Sequence, residues 1–282
     1  MQPLKKSLKI AVRDIVAHRL RTGDMVFEFL SSSRPVDAIR IHQKIQQSRP
    51  ENYTPEVAVS HRIETELFTL TVGGRIDGVY LEPDRALIEE IKTTTRSLEH
   101  YVNNKDPLHW GQVKCYAYIY AKEHNLSEIG TQLTYYQVDS GEIRQFEQQF
   151  TSIELESFFQ DLVTGYLQWA QTLANWELIR DESIHKLQFP FGRYRPGQRE
   201  MAVGVYRTVK NGGQLLAQAA TGIGKTMAVI FPALKAMAEG LNAKIFYLTA
   251  RTTGRIAAEK ALDKLRGKQL KLKSLTITAK DK

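Results

Sequence analysis

Residues 74–94 read GRIDGVYLEPDRALIEEIKTT. Two apolar-rich runs, Arg75–Leu81 and Ala86–Ile91, flank the turn residues Glu82, Pro83 and Asp84, which predicts a hairpin. Side chains two apart on a strand share a face, so Glu90 and Lys92 project together. Asp77, near the start of the preceding strand, can point into the same space. An Asp…Glu-x-Lys set suits metal-ion hydrolysis of a phosphodiester. Two carboxylates offer the oxygen ligands that Mg²⁺ or Mn²⁺ prefers, the metal activates water, and the lysine orients the nucleophile or steadies the pentavalent state. The same spacing also fits a surface salt bridge.

Outward from this hairpin, Glu56–Ile63 and Glu66–Val72 alternate as strands, with Gly73 and Gly74 as a break. Upstream, residues 36–47 place Ile39, His42 and Ile45 at helical steps, after a loop at Ser31–Pro35. A histidine on such a face is either a hydrogen-bonded core residue or a ligand. Residues 7–30 show helix-like apolar spacing that ends around Thr22 and Gly23. Downstream, a helix is predicted over Pro107–Ala121, a hairpin over Gly130–Val138 and Glu142–Phe150, and a long helix over Ile153–Arg180 closed by Asp181–Ser183. Its aromatics read as packing residues. Ile184–Pro196, with Pro190, Gly192 and Pro196, reads as a linker.

The core G-x-x-D…E-x-K pattern resembles the PD-(D/E)XK nucleases, in the branch typified by RecB. Gln112-Val113-Lys114-Cys115-Tyr116 matches the Q-x-x-x-Y helix of that branch, and the His42 helix is similar to the segment whose histidine completes the metal shell. The resemblance implies His42, Asp77 and Glu90 on metal, Lys92 as catalytic, and Gln112 and Tyr116 at the DNA. His61, beside Arg62 on a strand, is the rival histidine and reads as a salt-bridged or surface residue.

A second motif lies at Gln214–Val229, QLLAQAATGIGKTMAV. The apolar run Leu215–Ala217 reads as a buried strand, followed by a glycine turn and a helix opening at Lys225, the context of a phosphate-binding loop. Gly222 and Gly224 admit backbone N–H groups to the phosphates, with Thr221 in the same loop. Lys225 would reach the β/γ-phosphates and Thr226 would ligate Mg²⁺. The plain alternative is a glycine-rich turn preceding Lys-Thr.

Ala219 stands where the common pattern has its first glycine. Together with FGRYRPGQREM (191–201) and KIFYLTARTTG (244–254), the segment resembles superfamily 2 helicases, more narrowly the iron–sulphur DNA helicases of the DinG and XPD type. The resemblance implies ATP as nucleotide, Gln198 as the adenine contact, and Arg251 and Thr252 at the nucleic-acid backbone. It covers about residues 186–282, with the strand Lys244–Leu248 and helices near 225–239 and 257–265. Neither a D-E-x-H stretch nor the cysteine-rich segment is present, although Thr278–Lys282 resembles the approach to it. The chain thus reads as the front end of a longer helicase, expected by itself neither to hydrolyse ATP efficiently nor to unwind DNA. An iron–sulphur cluster belongs only to that longer parent.

Bulk properties agree with two units. The 282 residues carry a net charge of +8, split as 20 Lys/Arg against 26 Asp/Glu over residues 1–185 and 19 against 5 over 186–282. The second half is either attracted to polyanions or simply a basic solvated face. The single cysteine, Cys115, excludes a disulfide framework, a four-cysteine zinc site and an internal cluster, and makes a cytoplasmic location the default. No run of eighteen apolar residues is present, so no membrane partner is expected.

The expected fold is α/β: a PD-(D/E)XK nuclease-like mixed sheet flanked by helices over residues 1–185, then the incomplete first part of a RecA-like P-loop domain over 186–282. The expected function is the N-terminal portion of an ATP-dependent DNA helicase fused to a Mg²⁺- or Mn²⁺-dependent nuclease, acting on single-stranded or forked DNA. The alternative is a catalytically silent nuclease fold that docks DNA.

Overall fold

A computed structural model describes residues 5–22, 35–83, 85–103 and 105–278. The chain divides into two compact units, Met1–Trp169 and Ala170–Lys282. Of the loop expected at Ser31–Pro35, residues 31–34 lie outside the described residues, as do the final four residues, and Pro35 opens a helix.

The first unit is organised on strand β3 (Phe68–Glu82), which runs through Gly73 and Gly74 without the expected break. Strand β2 (Tyr53–Glu64) pairs antiparallel along one edge of β3, from Glu64 opposite Thr69 to Tyr53 opposite Tyr80. A strand has two edges, so the other edge serves two neighbours in succession. Strand β1 (Lys6–Ala11) pairs parallel with Phe68–Gly73, and β4 (Arg85–Thr94) pairs antiparallel with Gly78–Glu82. Between those two ladders, residues 74–77 pair with neither, and Asp77 sits in that gap.

Strand β5 (Glu128–Gln137) lies parallel to β4, and β6 (Ile143–Thr151) antiparallel to β5, giving a six-stranded mixed sheet. Helices α1 (Val12–Leu20), α4 (Pro107–His124) and the start of α5 (Ser152–Lys186) share one core with it. Val16, Val113, Ile119, Leu155 and Phe159 pack there with Leu70, Val72, Ile88 and Leu133, all essentially buried. Burying each such side chain is worth roughly 1.5–3 kcal/mol, and this core supplies the main favourable contribution to folding of the unit.

Helix α2 (Pro35–Gln47) forms where expected. Helix α4 is well delimited: Pro107 opens it, the Asp106 carboxylate accepts from the backbone N–H of Leu108 and His109, and Asn125 closes it in the left-handed region. The short helix α3 (Glu99–Asn103) precedes it.

Several expectations are corrected. The apolar spacing of residues 7–30 fits two periods at once, and Leu8 and Ile10 are used by strand β1 rather than by a single helix. Helix α5 continues past Asp181–Ser183 to Lys186, and Ile184 and Leu187, expected in a linker, are buried core residues of the second unit.

That second unit holds the end of α5 with α6 (Gln198–Asn211), α7 (Lys225–Ala238) and α8 (Thr252–Arg266). Ile184 and Leu187 join Ile230, Phe231 and Leu234 of α7 and Leu265 of α8 in its core. Leu215–Ala217 and Lys244–Leu248, expected as strands, have no strand pairing, and Leu216 and Leu248 are 102% and 89% exposed. A parallel core strand is buried only when neighbouring strands and covering helices flank it. Among the described residues, this unit forms no strand at all. No helix of the described residues is long and apolar enough to cross a membrane.

Candidate active site

The gap in the β3 ladder creates the site. Where β3 leaves β4, the backbone N–H of Ile91 loses its ladder partner, and Asp77 Oδ2 accepts it at 2.7 Å. The Asp77 backbone carbonyl accepts from Gln46 Nε2 at 2.9 Å and from the Tyr53 hydroxyl at 3.2 Å. From α2, His42 brings its Nδ1 to 3.6 Å from Asp77 Oδ1. Burial acts to lower the His42 pKa, but the hydrogen bond and charge of Asp77, helped by Glu90, outweigh it and raise it.

Glu90 and Lys92 emerge from β4 on the same face, as strand periodicity requires. Lys92 Nζ donates to Glu90 Oε1 at 2.6 Å and to Gln112 Oε1 of α4 at 3.0 Å. Burial pushes the Glu90 carboxyl up to about 7, against the pull of Lys92 and with the charge of Asp77 adding to it. The second carboxylate oxygen, Glu90 Oε2, is buried and has no hydrogen-bond partner among the described residues. Tyr116, one turn beyond Gln112, lies over Gly74, and a Cβ built at Gly74 would stand 2.7 Å from its hydroxyl oxygen. Burial first, then the Glu90 charge, pushes the Tyr116 phenol up to about 12. Glycine within a strand marks such close approach.

The structure thus gathers His42, Asp77, Glu90, Lys92, Gln112 and Tyr116 into one place, although they come from two helices, α2 and α4, and two strands, β3 and β4. Gln112 and Tyr116, expected at DNA, make their contacts inward with Lys92 and Gly74. Among the described residues no three His, Cys, Asp or Glu side chains form a ready-made metal cluster. His42, expected as a third ligand, is placed against Asp77, whose Oδ2 is occupied by Ile91. Mg²⁺ keeps several waters and takes only one or two carboxylates, so Asp77 and Glu90 suffice as its protein ligands. The partnerless Glu90 oxygen fits that role: an unsatisfied buried carboxylate oxygen costs stability that a cation would restore. His61 lies elsewhere, edge-on to Tyr118 and Phe159. Burial, then Lys122, lowers its pKa, and its half-buried ring packs on those aromatics away from Asp77.

The sequence reading missed the residue beside the site. Glu89 is fully buried and points opposite to Glu90. Arg49, just beyond α2, binds both its oxygens, with Nε at 3.3 Å from Oε2 and Nη2 on Oε1. Gln132 Nε2 donates to Oε1 at 2.8 Å, and the Thr134 hydroxyl donates to the same oxygen. Adjacent glutamates on a buried strand were the available signal, because alternation forces one of them away from the active face.

In the second unit, Gly222 and Gly224 adopt φ of 83° and 86°, the left-handed region that glycine tolerates. Lys225 Nζ donates back to the carbonyls of Ala219 and Ala220 at 2.9 and 3.0 Å. Thr226 follows it in the first turn of α7, and Thr221 is exposed in the loop. Gln198 is buried, its Oε1 accepting from Arg195 N–H at 3.1 Å and its Nε2 donating to the Gly224 carbonyl at 3.2 Å. Arg251 and Thr252 are exposed at the N-terminus of α8.

No curated protein matches the chain. One solved structure, described as "Crystal structure of SSO0001", is similar over 57% of this chain and 78% of that one, with 17% identity and a TM-score of 0.38. The model of the PD-(D/E)XK nuclease superfamily matches residues 25–190, more than half of the chain and the whole of the site around Asp77, Glu90 and Lys92. The chain belongs to the PD-(D/E)XK nuclease superfamily.

Proposed function

We propose that residues 1–185 hydrolyse DNA phosphodiester bonds with Mg²⁺ or Mn²⁺, and that residues 186–282 bind ATP as the front part of a helicase motor. The observation that carries the first part is the buried, partnerless Glu90 Oε2 beside Asp77 and Lys92. Asp77 and Glu90 would hold the divalent ion, with His42 beside Asp77. When bound, the ion supplies a water of lowered pKa and neutralises charge on the phosphate. Lys92, held between Glu90 and Gln112, places its ammonium where negative charge grows on the phosphate oxygens. Gln112 fixes that lysine, and Tyr116 walls the site over Gly74.

For the second part, the support is the left-handed glycine pair ahead of α7 with Lys225 already folded over the loop. Lys225 and Thr226 would meet the phosphates and their Mg²⁺, and Gln198 would meet the adenine. Arg251 and Thr252 would touch the nucleic-acid backbone.

Cleavage of labelled single- and double-stranded DNA with Mg²⁺ or Mn²⁺ tests the nuclease reading, with Asp77→Ala beside wild type. Metal-dependent cutting that Asp77→Ala abolishes is the expected result. Binding without cutting would instead make the fold a silent DNA-docking module. A fluorescent ATP analogue that binds wild type and not Lys225→Ala tests the nucleotide site, and equal binding by both would remove it.

A further inference from the structure

A cavity of about 310 Å³ is walled by Tyr101, Trp110, Tyr135 and Phe146, and its charged lining is Lys105 with the carboxylates of Asp106 and Glu147. Its floor, Tyr135, is the ladder partner of Lys92 across β4 and β5. Paired residues on neighbouring strands sit about 4.8 Å apart and share a face. The cavity therefore begins one strand away from the lysine. Both regions also share helix α4. His109 Nδ1 lies 2.7 Å from the Tyr135 hydroxyl, and one turn further along the helix Gln112 holds Lys92.

The aromatic wall is built and fixed. Tyr101 stacks on Tyr135 with ring centroids 4.0 Å apart and an interplanar angle of 22°. The Tyr101 hydroxyl is tied to Thr94 Oγ1 at 3.1 Å, where β4 ends. Lys105 is exposed. Both carboxylates are already engaged, Asp106 capping α4 and Glu147 paired with Arg85 at 3.5 Å, which leaves aromatic rings for the π face of a base and the Lys105 cation for the backbone.

We propose that this cavity receives the base of the nucleotide flanking the phosphate held at Glu90 and Lys92, and so selects unpaired nucleic acid. The inference rests on the nuclease reading of that site. A base inside a duplex presents only its edges and cannot enter a walled recess without leaving the stack. Every base has a π face, so the recess tolerates any sequence while rejecting intact duplex.

The test uses the full chain and single-stranded oligonucleotides in which one abasic residue is moved stepwise past the cleaved phosphate. Wild type cuts the phosphate next to the abasic residue about 5- to 150-fold more slowly, the range expected for one lost base–aromatic stack. Tyr101→Ala cuts normal DNA that much more slowly and no longer senses the abasic residue. Tyr101→Phe, which keeps the ring, behaves as wild type. Active enzyme that cuts abasic and intact sites equally would overturn the proposal. A 2-aminopurine base at the same position, in Ca²⁺ to block hydrolysis, separates this inference from the nuclease reading. Quenching in wild type that Tyr101→Ala loses supports the cavity even if no cutting occurs. Absent quenching overturns it even if cutting does occur. Lys105→Glu, an exposed substitution that leaves the core intact, weakens oligonucleotide binding at all sequences alike, and unchanged affinity counts against the proposal.

Discussion

Arg49→Ala removes the charged donor that binds both oxygens of Glu89, and its cost follows from what remains. Glu89 is fully buried. Without the guanidinium, Glu89 keeps only neutral partners, the Gln132 amide and Thr134 hydroxyl on Oε1 and the nearby Tyr53 hydroxyl. Breaking one partner out of a buried ion pair costs about 3–5 kcal/mol. Protonation sets a ceiling, because a glutamate in water takes up a proton at pH 7 for about 3.7 kcal/mol, and for only about 1 kcal/mol at pH 5. The expected loss is therefore about 3–4 kcal/mol at pH 7, shrinking by about half or more at pH 5. Against a net stability of about 5–15 kcal/mol, that is a large fraction. Urea unfolding followed by tryptophan fluorescence reads it, with Arg19→Ala as control, since Arg19 and Asp161 form an exposed pair that water and salt screen. The double variant Arg49→Met/Glu89→Gln recovers much of the loss. A pH 7 loss for Arg49→Ala no larger than that of the control would refute the reasoning.

Three further outcomes follow. Gly74→Ala drives a methyl group against the Tyr116 hydroxyl and costs roughly 1–3 kcal/mol. Urea titration checks this, and adding Tyr116→Phe, which removes the closest atom, returns part of the loss. Cys115 is buried and its thiol pKa is pushed up by that burial, so the native protein resists a thiol-reactive dye and labels only on unfolding. Rapid native labelling would contradict the packing of α4. Burial, with Lys92 adding, lowers the His109 pKa to about 4, so the fold binds the neutral ring. Stability from this residue is whole above about 6.5 and is lost as pH falls from there to about 4, by roughly 3 kcal/mol at most. The acid-side decline in urea midpoint should be shallower in His109→Gln, and an unchanged slope would count against this.

How much of this was legible in the sequence depends on the range of the interaction involved. The β3–β4 hairpin, helices α2 and α4 and the β5–β6 hairpin follow from local periodicity and turn residues. Strand β1 did not, because Leu8 and Ile10 satisfy both a strand and a helix until a partner at Phe68–Gly73 decides between them. The run through Gly73 and Gly74 was hidden for the same reason: glycine breaks an isolated strand, yet here it makes room for Tyr116 from a distant helix. Asp77, Glu90 and Lys92 were visible as a pattern, but the Ile91 contact of Asp77 and the Arg49 grip on Glu89 are tertiary and carry no local signature. In the second unit, the apolar runs Leu215–Ala217 and Lys244–Leu248 have strand character, which needs pairing partners that the described residues do not provide.

The central claim is that Asp77 and Glu90 hold a divalent ion while Lys92 acts on the phosphate. Mn²⁺ titration and DNA cleavage measured on the same samples test it most directly. Glu90→Gln should lose both Mn²⁺ binding and cutting, while Lys92→Ala should keep the ion and lose at least about 100-fold in rate, the scale of removing one electrostatic stabiliser. Undiminished cutting by Lys92→Ala, or Mn²⁺ binding untouched by Glu90→Gln, would contradict the account.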